Sequence, residues 1–172
     1  MTSKEYYIIL PLLLYGLGIA DLVNSWRSFF VSKRRYWPYI ITSLILLEAA
    51  FWNFFRMNEW MAEGSYVTYL SYSRFIITPL VFILVVAVFT PEQETEDIEK
   101  YFTTNMRVIF GGLAVFVALH FLFIPPDGMA LKELTGRLVG IALLVFMAVV
   151  RKPSLVYVLL VFRIITYFIE GR

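Results

Sequence analysis

The sequence contains no cysteine and a single histidine. Without thiols there is no disulfide, thiolate nucleophile, iron–sulfur cluster or cysteine zinc site, and the redox state of the compartment leaves no trace in the chain. One histidine cannot form a bis-histidine haem within one chain, and no His/Asp/Glu cluster has metal-ligand spacing, so no cofactor is expected. Charge is also scarce, at 16% of residues against about 25% in soluble domains. The net charge is only +2. Basic residues sit in short clusters between apolar runs rather than in one stripe, which argues against a nucleic-acid partner. No lysine lies deep in an apolar run, which removes a retinal Schiff base. Nucleophile elbow, P-loop and dinucleotide fingerprint are missing too; Gly16-Leu17-Gly18 lies within an apolar run and lacks the strand and third glycine of the fingerprint. The chain is therefore not expected to be an enzyme, the one remote alternative being Glu48 and His120 as an intramembrane acid and base.

What the chain does have is apolar surface: 60% hydrophobic and 18% aromatic residues over 172 positions. Runs near the ~20 residues that cross a hydrocarbon core extend over Tyr6 to Trp26, Trp37 to Met57, Tyr66 to Phe89, Met106 to Ile124, Leu131 to Val150 and Ser154 to Ile169. The pattern predicts an all-α fold, a polytopic transmembrane helix bundle of six spans forming a single domain over residues 1–172. Two segments have clear loop chemistry. One is Pro91 to Lys100, with Glu92, Glu94, Glu96, Asp97 and Glu99, read as a solvated linker; the other is the turn Pro125-Pro126-Asp127-Gly128. Gly18-Ile19-Ala20 would pass as a signal-peptidase site, but Asp21 and Asn24 continue the helical pattern, and the first run is read as a span. Ile169-Glu170-Gly171-Arg172 spells an engineered protease recognition sequence, and an added tail is an even alternative to a native end.

Basic loop residues mark the cytoplasmic side. Arg27, Lys33, Arg34 and Arg35 fall in the first loop, Lys100 and Arg107 around the third, and Arg151 and Lys152 in the fifth. The second and fourth offer mainly Arg56 and Lys132, beside Glu59, Glu63 and Asp127. Both termini are then expected outside. Tyr6, Tyr7, Trp26, Tyr36, Trp37, Trp60, Tyr66 and Tyr69 fall at the expected interfaces, where amphipathic rings prefer to sit.

Charges inside spans are costly and mark candidate sites. Glu48 and Arg163 fall near the middles of the second and sixth runs and are the natural pair. Arg74, His120 and Arg137 lie roughly 6–9 Å to the outer side of the midplane, where they would form a positive ring. Asp21 is the other acid well inside, and Asn53 is counted with this internal polar set. Helical spacing groups several of these into polar faces: Arg163, Thr166, Tyr167 and Glu170; Ser71, Arg74 and Thr78; Gly18, Asp21, Asn24, Ser25 and Ser28. The fifth run places Glu133, Gly136, Arg137 and Gly140 on one face, the glycines suiting close helix packing, as do Gly111, Gly112 and Ala118 on the fourth. Pro79 is expected to kink the third helix beside Arg74. The plain alternative is that Glu48–Arg163 is only helix glue and that the outer cations snorkel to the headgroups. An arginine precedes Ile-Ile-Thr at Arg74 (with Phe75 between) and at Arg163, a faint three-plus-three echo of the kind inverted repeats produce.

Gly16-Leu17-Gly18-Ile19-Ala20-Asp21-Leu22, the tryptophans Trp52 and Trp60, and Phe89-Thr90-Pro91-Glu92 followed by Asp97-Ile98 and Tyr101-Phe102 resemble a pattern in an uncharacterised family of small polytopic bacterial inner-membrane proteins. The resemblance covers the chain. It implies a bacterial plasma-membrane location and carries no activity with it.

Three interior arginines against one glutamate leave positive charge in the outer half, which an anionic small ligand or lipid head group would balance. The expected function is transport, channel formation or ligand sensing at Glu48, Arg74, Arg137 and Arg163. The alternative is a non-catalytic assembly or accessory subunit whose polar faces meet a membrane partner. Six short helices barely enclose a solute path, so a homo-oligomer is expected under either reading.

Overall fold

The structure, a computed structural model, describes residues 3–31, 35–62, 69–91, 97–122 and 130–170. Its elements are α1 (Ser3–Val31), α2 (Trp37–Ala62), α3 (Tyr69–Phe89), α4 (Ile98–Leu119), a 3₁₀ turn at His120–Leu122 that closes α4, α5 (Leu131–Val150) and α6 (Leu155–Glu170), with no strand among the described residues. One helix thus stands on each apolar run, and the fold is all-α. Four helices carry stretches long and apolar enough to cross a membrane: Tyr7–Trp26, Trp37–Arg56, Ile98–Leu122 and Leu131–Val150. The apolar stretches Phe75–Phe89 of α3 and Leu155–Phe168 of α6 are shorter. With 16 residues, α6 rises roughly 24 Å against a hydrocarbon core of ~30 Å.

The largest boundary difference is at α4, which begins at Ile98 rather than Met106. Asp97 caps it, its carboxylate accepting from the Lys100 N–H at 2.9 Å, and Glu99 adds negative charge to the first turn. Phe102 is fully buried in this turn, and the Tyr101 hydroxyl donates to the Val88 carbonyl at 2.8 Å. The C-terminal part of the expected linker is therefore the first turn of α4, with Glu99 and Lys100 exposed. Glu92, Glu94 and Glu96 lie outside the described residues, as does the turn Pro125 to Gly128.

α4 packs most broadly on α5 and α3; α1 lies on α3 and α2, and α6 is an edge helix against α2 and α5. The broad α1–α3 interface has no equal between α4 and α6, so the two halves of the chain are not packed alike. An aromatic column fills the centre. Tyr15 meets Phe82 at 5.4 Å, Phe82 meets Phe116 at 5.7 Å, and Tyr39 stacks on Phe89 at 4.2 Å. Glycines allow this closeness. A Cβ on Gly18 would stand 2.7 Å from Phe82 Cε1, and one on Gly112 would stand 2.5 Å from Val85 Cγ2. On α5, a Cβ on Gly140 would stand 3.3 Å from Phe162 Cε1, and one on Gly136 would stand 4.0 Å from Thr166 Cγ2, both on α6. On α4 only Gly112 serves packing; Gly111 faces open space and Ala118 is exposed. α3 continues through Pro79, as α1 does through Pro11.

Candidate functional site

α2, α4, α5 and α6 converge on a cavity of about 110 Å³, toward the ends of α2 and α4 and the start of α5. Its polar wall comes from Asn53, His120, Arg137 and Arg163. The rest is apolar, with Trp52, Phe116, Leu113, Leu144 and Leu159 among the lining residues.

His120 ends α4, where the helix tightens into its 3₁₀ turn. The buried ring has Nδ1 at 2.9 Å from the Phe116 carbonyl and 3.2 Å from that of Val117, and Nε2 at 2.6 Å from Asn53 Oδ1. Asn53 Nδ2 donates to the Ala49 carbonyl at 2.8 Å. Trp52 and Phe116 meet the imidazole edge-on, at 5.7 and 5.1 Å. The ring is held from both α2 and α4, which fixes its orientation in the cavity wall.

Arg137 sits in the second turn of α5, one turn after Glu133. Its Nη2 donates to Glu133 Oε1 at 2.6 Å, and the arginine side chain is only 10% exposed. Nη1 is buried and has no acceptor. One part of the guanidinium is therefore satisfied and another is not.

Glu48 and Arg163 form the ion pair expected from their depth. Arg163 Nη2 donates to both carboxylate oxygens, at 2.8 and 2.6 Å, joining α2 to α6. The pair is not enclosed, however: Arg163 is 36% and Glu48 42% exposed. It stands at the bundle surface, beside a groove between α2 and α6, and Arg163 also borders the cavity.

The other expected site residues are distributed differently. Arg74 lies on α3, and its side chain lies outside what the structure describes. Among the described side chains the expected positive ring is represented by His120 and Arg137. Asp21 is a correction: it is exposed on α1, and the cavity is built from other helices. The reason is helical phase, since Tyr15, Gly18 and Leu22 form the inward stripe of α1 and turn Asp21 and Asn24 away. Arg137 pairs with Glu133, one turn earlier on its own helix. That pairing removes much of the expected charge excess. Helical spacing puts Glu133 and Arg137 on one face, and their separation of four residues is the signal from which the pairing could have been read. Nothing in the local sequence points to the aromatic contacts of Trp52 and Phe116 with His120.

No protein-family model, curated protein or solved structure matches the chain.

Proposed function

We propose that the chain is a multi-pass membrane protein of the transport, channel or ligand-sensing type, non-catalytic, whose four-helix cavity takes a small anionic group on a solute or a lipid head. The observation that supports this reading is Arg137, a side chain nine-tenths buried in the cavity wall with an Nη1 that lacks an acceptor. A buried donor without a partner is costly, most of all where water is excluded. A carboxylate or phosphate oxygen would satisfy it with a charge-assisted bond. Because Glu133 already takes Nη2 and balances much of the guanidinium charge, what remains is the Nη1 donor, which suits a small group with one oxygen aimed at it rather than a polyanion. Size limits it further: cavities of ~150 Å³ accept a benzene-sized guest, so about 110 Å³ fits a group of a few heavy atoms. The apolar lining suits a short alkyl body. Asn53 and His120 shape the polar end.

In this reading all six helices cross the bilayer, in the bacterial plasma membrane, with both termini outside. The basic first loop and the resemblance to small bacterial inner-membrane proteins support that placement. The second reading, an assembly subunit, is favoured by the surface exposure of the Glu48–Arg163 pair.

The test is the melting temperature of the purified protein in detergent with acetate, butyrate, chloride and the neutral isostere butyramide. The expectation is a saturable rise with at least one anion and none with butyramide. Arg137→Gln should abolish the rise, and Glu133→Gln, which removes a competing carboxylate, should lower the half-saturating concentration. No anion-dependent rise, or the same rise in Arg137→Gln, would contradict the proposal.

A further inference from the structure

The Glu48–Arg163 pair is out of place for a lone chain in a bilayer. It lies midway along α2 and α6, yet 42% and 36% of the two side chains remain exposed. Both of its hydrogen bonds are made by the same nitrogen, Arg163 Nη2, so the remaining guanidinium donors are not spent on the carboxylate. At this depth lipid tails offer no acceptor, and snorkelling cannot bring a glutamate from mid-helix to water. The surroundings form a groove of about 310 Å³ lined by Leu44, Ile45, Leu160, Ile164, Tyr167 and Phe168. Leu44, Ile164 and Phe168 stand about half exposed or more along it, and among the described residues α6 packs chiefly on α2 and α5.

We infer that the α2–α6 face is the contact surface of a two-fold homodimer in which Arg163 of each copy also donates to Glu48 of the partner subunit. The charge pattern favours a second copy as occupant. A two-fold axis along the membrane normal leaves every residue at its own depth, so Glu48 and Arg163, which already meet at one level, can meet their counterparts at that level. Two neutral pairs placed head to tail then close into a ring of alternating charge. Each carboxylate gains a second guanidinium, and the idle donors gain acceptors. The apolar rim would seal the ring from lipid. The surface shares Arg163 with the cavity wall, but its contacts do not require a cavity ligand.

The test uses the full chain in lipid nanodiscs and its lack of cysteine. The wild type should have the mass of two chains. Glu48→Gln and Arg163→Gln should each raise the dimer dissociation constant at least tenfold, whereas the exchanged pair E48R/R163E should restore it to within a few-fold. Leu44→Trp, at a position exposed in the single chain, should preserve helicity and give monomer. Leu44→Cys and Ile164→Cys should cross-link between copies, and Leu13→Cys, on the outer face of α1, should not. The inference is overturned by a monomeric wild type, by a dimer indifferent to Glu48→Gln and Arg163→Gln, by cross-linking at Leu13→Cys alone, or by a stoichiometric foreign subunit on this face.

Discussion

The nitrogens of the Arg137 guanidinium are in different situations: Nη2 is hydrogen-bonded to Glu133, and Nη1 is buried without an acceptor. His120 shows the opposite, a polar ring with an oxygen within hydrogen-bond distance of each nitrogen, from α4 at Nδ1 and from α2 at Nε2. Replacing it tests that. His120→Phe leaves Asn53 Oδ1 buried without its partner and should cost about 1–3 kcal/mol, read from thermal or denaturant unfolding in detergent. Adding Asn53→Leu should recover part of the loss, because removing both polar partners leaves no orphan. At this scale the sequence is legible where depth decides: Glu48 and Arg163 pair as their mid-run positions suggest. It is illegible where phase decides. Asp21 shares a run with Gly18 and Leu22, but only packing shows which side of α1 faces α3. The exposure of the Glu48–Arg163 pair is equally hidden, because sequence depth in a membrane does not reveal whether a side chain faces another helix or the outside.

Among the elements, interhelical distance is set by glycines whose neighbours on other helices occupy the missing side chain's space. Gly111 and Gly112 are adjacent in α4 and should respond in opposite directions. Gly112→Ala drives a methyl against Val85, a β-branched side chain with little rotamer freedom, and should destabilise by about 1–3 kcal/mol. Gly111→Ala meets nothing within 4 Å and should be neutral or stabilising by up to about 1 kcal/mol through helix propensity. Unfolding of the two single variants checks the sign. The number of helices is readable from apolar run length, and α5 coincides with its run, Leu131–Val150, although Lys132, Glu133 and Arg137 interrupt its first two turns. The early start of α4 is not readable from hydropathy. It depends on the Asp97 cap and on burial of Phe102, which a charged stretch containing Glu99 and Lys100 conceals.

For the molecule as a whole, the proposed orientation rests on the unequal distribution of basic residues among the loops. The chain lacks cysteine, so single introduced thiols report sidedness cleanly. Ser32→Cys should be labelled only from the cytoplasmic side and Ala130→Cys only from the outer side; the reverse pattern would invert the topology. In the proposed orientation, the cavity at the ends of α2 and α4 would lie in the outer half of the bilayer, the side from which an external solute or an outer-leaflet head group would enter. The class of protein is legible in composition, whereas the cavity is not, since it needs α2, α4, α5 and α6 brought together from distant parts of the chain.

The most direct measurement is equilibrium binding of radiolabelled butyrate to the protein in nanodiscs, compared among wild type, Glu133→Gln and Arg137→Gln. One saturable site per chain is expected, tighter in Glu133→Gln and lost in Arg137→Gln while that variant retains its helicity. Butyrate bound equally by all three, or by none, would contradict an anion site at Arg137.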